Sequence, residues 1–262
     1  MSDVRAELDG RVLVLTIDRP HARNALAAST MAELDVHLAG VAAREDVRCA
    51  VITGAGDRAF IAGGDLKELE SARDEAFGAR LARDMRRTLD RIAELPIPVI
   101  AAVNGAAIGG GAEVAVACDF RIAADDAGIG FTQALLGVMP AWGGIERLGA
   151  LVGRGRALYL LTTGRVLSGA EAAAWGLVEE CTPRAAFAGR WRELGQAVAA
   201  APRHTLAGLK AAMHAAHPGS RPELAEPAIA AFARAWAHPD HWSMAEELER
   251  RRRAARERRD SH

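Results

Sequence analysis

Residues 98–105, PVIAAVNG, run apolar up to Asn104, and the glycine-rich segment after them restricts how they can be packed. A short, continuous apolar stretch of this kind reads as a buried strand. Three glycines, Gly109, Gly110 and Gly111, come next, and the segment from Glu113 to Ala117 suits a short apolar helix. FRIAA (120–124) and IGF (129–131) then read as short strands. The same order appears upstream. VLVLTID (12–18) is a strand stopped by Arg19-Pro20, and CAVITG (49–54) is a second strand ended by the turn Gly54-Ala55-Gly56-Asp57. Between them, Thr30 and Glu33 predict a capping box, followed by Met31, Leu34, Leu38 and Val41 at helical spacing. A long amphipathic helix carries Phe77, Leu81, Met85, Leu89 and Ile92 on one side. Arg80, Arg83, Arg87, Asp90, Arg91 and Glu94 cover the other, and Pro96 ends it. Beyond Pro140 the pattern turns mostly helical, with a second capping box at Ser168–Glu171 and Gly176 as a C-cap. The chain reads as α/β, with strand–strand–helix units that recur loosely and no low-complexity linker.

Composition narrows the function classes. The 262 residues carry 33 basic and 34 acidic side chains, so nothing global favours nucleic acid or an anionic membrane as partner. The arginine blocks between Ala245 and Arg259 are interleaved with Glu246, Glu247, Glu249 and Glu257, which fits a solvated helix face better than a nucleic-acid arm. Three widely spaced cysteines (Cys49, Cys118, Cys181) imply no disulfide framework and no zinc spacing. The first residues lack the build of a signal peptide, and no apolar run reaches membrane-spanning length. A cytoplasmic setting is expected. The pairs His214/His217 and His238/His241 have no third ligand nearby in sequence and read as surface or packing residues, so no metal is expected. Cys118 reads as a core residue, and no serine or cysteine nucleophile motif is present.

The glycine run is the richest local signal. It lacks the lysine of a phosphate-binding P-loop and the spacing of a dinucleotide fingerprint. It does fit a sharp strand-to-helix turn whose first amides are free of intrahelical partners and sit at the positive end of the helix. Such amides suit an oxyanion that develops in a transition state. Glu113, one helical turn after Gly110 in apolar surroundings, suits an acid or base whose pKa burial would raise. The same residues also serve as a tight turn followed by an ordinary N-terminal helix charge. FIAGGDLKEL (60–69) repeats strand, glycine pair and helix, with Asp65 as an N-cap, and supplies a second amide of the same kind.

Taken together, RPHARNAL (19–26), FIAGGDLKEL, AAVNGAAIGGGAEVAVACDFRIA (101–123), LLGVMPAWGGIERL (135–148) and TGRVLSGAEAAAWGLV (163–178) resemble the crotonase, or enoyl-CoA hydratase/isomerase, superfamily over nearly the whole chain. The resemblance implies a spiral of ββα units over residues 1–200 and a helical trimerisation region over 201–262, assembled as a homotrimer or a dimer of trimers. It implies an acyl-CoA thioester substrate, with coenzyme A as part of the substrate and no separate cofactor. The amides that stabilise the thioester enolate fall on Gly64 and Gly110. The segments that cradle coenzyme A fall on Arg23, Asn24 and Ala25, on Ala62, and on Gly64, Asp65, Leu66 and Lys67, with Asp65 fixing the loop rather than reacting. Of the two glutamates of hydratases, the first falls on Glu113. The second belongs four residues before Gly137, where this chain has Gln133, and neighbouring Thr132 and Ala134 recover no carboxylate. Trp142, where hydratases carry a smaller residue, either lines the acyl pocket or packs under its turn. The Trp142-Gly143-Gly144 turn and the missing glutamate are similar to the ethylmalonyl-CoA decarboxylase branch. Hydration of a 2-enoyl-CoA is therefore the first expectation, with malonyl-type decarboxylation, double-bond isomerisation and, more remotely, non-catalytic acyl-CoA binding as alternatives.

Overall fold

Successive strand pairs split between two sheets, and this division positions the glycine turns. The computed structural model describes residues 2–41, 43–65, 72–217 and 222–260. Strands β1 (Val4–Asp9) and β2 (Val12–Ile17) form a hairpin, and helix α1 (Ala28–Val41) comes next. Strands β3 (Cys49–Gly54) and β4 (Ala59–Ile61) lead to α2 (Glu75–Glu94), while β5 (Val99–Val103) and β6 (Ala106–Ile108) lead to α3 (Gly110–Ala117). Strands β7 (Phe120–Ala124) and β8 (Gly128–Gly130) lead through a 3-10 turn (Gln133–Leu136) to α4 (Gly144–Val152) and α5 (Arg154–Thr163). Strand β9 (Val166–Ser168), α6 (Gly169–Ala174), β10 (Glu180–Thr182) and α7 (Arg184–Ala199) complete the alternation. From there on the described elements are helical: α8 (Arg203–Ala216), a 3-10 turn (Pro222–Leu224), α9 (Ala225–Ala237) and α10 (Pro239–Asp260).

The β1–β2 hairpin lies wholly in a six-stranded sheet ordered β1-β2-β3-β5-β7-β10, parallel except for that hairpin, and the first strand of each of the pairs β3/β4, β5/β6 and β7/β8 enters the same sheet. The second enters a four-stranded sheet ordered β4-β6-β8-β9. The units starting at β3, β5 and β7 therefore each add one strand to each sheet, which makes regular there the ββα recurrence that the sequence shows only loosely. Strands β2, β3 and β5 are buried along their whole length, as expected for a parallel sheet covered on both faces. Helix α3 lies deepest, with all eight of its residues buried. It packs against β4, β6, α2 and α4.

Several local expectations change. Strand β1 is an addition to the expected elements: VRAELD alternates apolar Val4, Ala6 and Leu8 with charged Arg5, Glu7 and Asp9, the period of a strand, and lies at a sheet edge with only Val4 buried. The Thr30–Glu33 capping box does not form. Helix α1 starts at Ala28, ahead of Thr30, and the Glu33 carboxylate instead accepts from Ser2 Oγ and from the Asp3 and Val4 amides at 2.7, 2.8 and 3.0 Å. The Ser168–Glu171 capping box does form. On α2, Asp90 is not a solvent-facing charge, because it is bound by Arg86 and Arg147. On α10, Glu247 pairs with Arg250 and Arg251, and Glu249 with Arg253, at helical spacing, as a solvated face requires.

The N-terminus of α3 tolerates nothing larger than hydrogen. A Cβ on Gly111 would be driven into the Ile61 carbonyl of β4, and one on Gly110 into the indole of Trp142. Gly109 turns the chain into the helix at φ 58° and ψ −116°, a conformation that favours glycine. Gly149, inside α4, faces open space. Gly111→Ala is expected to cost about 3 kcal/mol through overpacking against backbone. Gly149→Ala should stabilise by roughly 0.5–1 kcal/mol through helix propensity. Denaturant unfolding of the two variants checks the pair, and similar midpoints would contradict the close approach of α3 to β4.

Candidate active site

Glu113 occupies the first turn of α3 and is 2 % exposed. Its two oxygens are held differently. Oε2 accepts from the Trp142 and Gly144 backbone amides, both at 2.9 Å, and Oε1 accepts from Gln133 Nε2 at 3.0 Å. Gly144 allows this approach, since a Cβ there would lie 2.6 Å from Glu113 Cγ. Burial pushes the Glu113 carboxyl up from 4.5 to about 7. The Gly144 and Trp142 amides, the Arg147 charge and the Gln133 side chain oppose that rise. A carboxyl poised near neutrality suits general acid–base work. Gln133 Oε1 is buried and has no hydrogen-bond partner among the described residues. A side-chain amide can turn over, so Gln133 can donate to an ionised Glu113 or accept from a protonated one.

The two glycine turns meet at this place. A Cβ on Gly63 would lie 3.9 Å from the Gly110 nitrogen, so the end of β4 runs beside the start of α3. Gly110 is the first helical residue, and its N–H has no intrahelical acceptor. Gly64 forms a parallel bridge with Leu26, through Leu26 N to Gly63 O at 2.8 Å and Asp65 N to Leu26 O at 2.9 Å. That pattern engages the neighbours of Gly64 and leaves its own amide turned away from Leu26. Trp142 is 7 % exposed, with its ring against Gly110. The indole backs the first residue of α3.

The residues singled out around Arg23 are also drawn together. Arg23 and Asn24 adopt left-handed φ values of 54° and 57°. The resulting turn lies along the end of β4 through Ala62 N to Arg23 O at 3.2 Å. Arg19 donates to the Ala25 carbonyl and, at 3.0 Å, to Asp65 Oδ2, which ties the two segments together. Buried Asn24 donates to the Ala55 and Ala59 carbonyls at 3.0 and 2.8 Å. Arg23 is exposed, Ala25 is buried, and Ala62 and Gly64 are half-buried. Leu66 and Lys67 lie outside the described residues, as does the start of the helix that Asp65 would cap.

Sequence reasoning missed the residues behind the site. Asn104 donates to the Gly54 and Gly56 carbonyls at 2.8 and 2.7 Å and accepts from Gly54 N at 3.1 Å, shaping the loop into β4. Arg147 donates to the Trp142 carbonyl at 2.9 Å and to Asp90. The available signal was an arginine inside the apolar stretch just after Trp142-Gly143-Gly144. His241 is buried, with Nδ1 2.6 Å from the Leu136 carbonyl, so it packs α10 against the turn that carries Gln133. Cys118 is a core residue, its thiol pushed up to about 12 by burial. Among the described residues no cluster of three His, Cys, Asp or Glu side chains is placed to hold a metal, and no helix is long and apolar enough to cross a membrane.

Known proteins resemble this chain in sequence and in fold. The sequence profile of the enoyl-CoA hydratase/isomerase family matches residues 7–253. A short-chain-enoyl-CoA hydratase of Clostridium acetobutylicum is 39 % identical over 69 % of this chain and 69 % of its own. A crotonyl-CoA hydratase of Syntrophomonas wolfei is 41 % identical over 66 % of each. The crystal structure of an enoyl-CoA hydratase from Bacillus anthracis superposes with a TM-score of 0.79 at 34 % identity, covering 83 % of this chain and 86 % of that one. The chain belongs to the enoyl-CoA hydratase/isomerase family.

Glu113 couples the site to stability. Its folded-state pKa stands above its unfolded one, so its contribution is fully present below about pH 4.5 and is lost as pH rises through about 7. Relative to Glu113→Gln, the wild type should lose roughly 3 kcal/mol across that window and stay level above it. Urea unfolding of both proteins at pH 4.5, 6 and 8 measures this, and a pH-independent difference would contradict the raised pKa.

Proposed function

We propose that this protein is a hydro-lyase of the enoyl-CoA hydratase type, converting a 2-enoyl-CoA to a 3-hydroxyacyl-CoA. The observation that carries the reading is Glu113, poised near neutral pH by burial and held by Gln133, Trp142 and Gly144 beside the free amide end of α3. Gly64 and Gly110 donate their amides to the thioester oxygen. Arg23, Ala25, Ala62, Asp65, Leu66 and Lys67 form the coenzyme A cradle. Trp142 backs the oxyanion donor, and Gln133 orients water.

In the reaction, ionised Glu113 takes a proton from water as the water oxygen bonds to the β-carbon. The carbon–carbon π pair moves towards the thioester, whose oxygen becomes the enolate held by the two amides. When the enolate collapses, Glu113 returns the proton to the α-carbon. One carboxyl thus does the work of two, because Gln133 donates and accepts hydrogen bonds but exchanges no proton. Coenzyme A enters only as part of the substrate. Exposed apolar side chains on α5, β9 and α8, among them Leu158, Tyr159, Val166, Leu209 and Met213, support assembly as a homotrimer or dimer of trimers. A cytoplasmic setting is consistent with three free cysteines.

A second reading, decarboxylation of a methylmalonyl- or ethylmalonyl-type thioester, is favoured by one feature. With Gln133 neutral and Glu113 part-protonated at neutral pH, little negative charge would oppose a substrate carboxylate. Carbon dioxide would leave, the enolate would sit on the same two amides, and Glu113 would protonate the α-carbon.

Incubation with crotonyl-CoA and with methylmalonyl- and ethylmalonyl-CoA, followed by mass analysis, separates the readings. Hydration of crotonyl-CoA is the expected result. Glu113→Gln should lower kcat by about 10²–10⁴ with little change in KM, and Gln133→Glu should raise hydration. Decarboxylation without hydration would establish the second reading instead. Turnover of neither substrate, with tight coenzyme A binding, would point to a non-catalytic acyl-CoA binder.

A further inference from the structure

The proposed reaction leaves four buried or half-buried charges behind Glu113 unused. Arg147 and Arg86 are each 4 % exposed. Arg147, on α4, donates from Nη1 to the Trp142 carbonyl at 2.9 Å and from Nη2 to Asp90 Oδ1. The other Asp90 oxygen accepts from Arg86 Nε at 3.3 Å, and Arg86 Nη2 donates to Glu146 at 2.6 Å. Asp90 and Arg86 belong to α2, Glu146 and Arg147 to α4, so the chain of charges ties the long helix to the turn that holds Glu113.

The geometry at that turn is specific. The Trp142 and Gly144 amides face Glu113 Oε2, while the Trp142 carbonyl faces Arg147. Gly143, between them, has φ 93°, and a Cβ there would collide with the Arg147 guanidinium. The guanidinium thus lies directly under the turn that presents the two donors. Removing it would free the Trp142 carbonyl and with it the direction of both amides. Burying two arginines for packing alone is costly, since paired charges seldom out-stabilise apolar side chains of the same volume.

We propose that Arg147, itself aligned by Asp90, is a positioning residue for Glu113: it fixes the Trp142–Gly144 turn so that both amides meet the carboxylate, and its charge sets the acidity at which Glu113 exchanges its proton. This rests on reading Glu113 as the acid/base of the site. Among the described residues, the charge that bears on Glu113 is that of Arg147, from α4. Asp90 and Arg86 from α2, and Glu146 from α4, stand behind it, and the Gln133 turn brings an uncharged side chain. Loss of the Arg147 cation makes an ionised Glu113 less favourable and raises its pKa. Loss of the Asp90 anion leaves the cation unopposed and lowers it. Two substitutions in one ion pair should therefore move Glu113 in opposite directions, which a scaffold role alone would not produce.

The test is a titration of ligand-free enzyme carrying carboxyl-¹³C glutamate, with the Glu113 resonance assigned by its loss in Glu113→Gln. Arg147→Gln is expected to raise the Glu113 midpoint by about one pH unit. Arg147→Lys should restore most of that shift, and Asp90→Asn should move the midpoint down. On crotonyl-CoA, Arg147→Gln and Asp90→Asn should lower kcat at least about tenfold with KM held within a few-fold. An unmoved midpoint in Arg147→Gln, or an upward shift in Asp90→Asn, would overturn the proposal even if both variants lose activity. Should Arg147→Gln fail to fold by circular dichroism, the sign of the Asp90→Asn shift decides alone. The expected shifts in an enzyme that hydrates no enoyl-CoA would uphold the positioning role and remove only the assigned reaction.

Discussion

The structure depends on how closely the first turn of α3 approaches its neighbours. Gly110 and Gly111 leave room for the Trp142 ring on one side and the Ile61 carbonyl on the other. Any side chain there would push the helix away from β4. Its free amides would then part from the Gly63–Gly64 turn, and Glu113 would part from the Trp142–Gly144 amides. One steric constraint thus sets two features at once: the pairing of two amide donors, and the depth at which the carboxylate is buried. The doubled sheet supplies the frame, because β4 and β6 pair side by side in the smaller sheet and so bring the glycine turns that follow them together.

Electrostatics at Glu113 is a contest in which burial wins by a limited margin. Three hydrogen-bond donors and a nearby guanidinium favour the carboxylate, and the apolar surroundings of α3 favour the acid. With fewer donors the group would stay protonated at neutral pH, and with less burial it would be an ordinary surface acid. Neither extreme could both take and return a proton. Gln133 fits this balance, because it bonds to Glu113 without adding a second charge.

Local pattern made much of this legible. The buried strands β2, β3, β5 and β7, the amphipathic α2 and the Ser168–Glu171 cap all stand near their expected bounds. The Gly110–Glu113 spacing places both on one turn, and the family was recognisable from ordered motifs. What escaped depends on partners distant in sequence. Asp90 reads as surface on a helical wheel, yet Arg147 lies 57 residues downstream and reaches it across the α2–α4 contact. Glu33 fits a capping box by spacing, but the N-terminal amides at Asp3 and Val4 offered it better donors. Trp142 is ambiguous in sequence for the same reason, since its neighbour Gly110 is set by the packing of α3 on α4.

The most direct measurement of the central claim is the pH dependence of kcat/KM for hydration of crotonyl-CoA. With Glu113 as the single proton-exchanging group, required as the carboxylate in the free enzyme, the profile should rise about tenfold per pH unit on the acid side. It should level off above about pH 7, where burial places the Glu113 carboxyl. The residual activity of Glu113→Gln should show no such ionisation. A wild-type profile that is flat through pH 7, or that keeps the same ionisation after Glu113→Gln, would contradict the account.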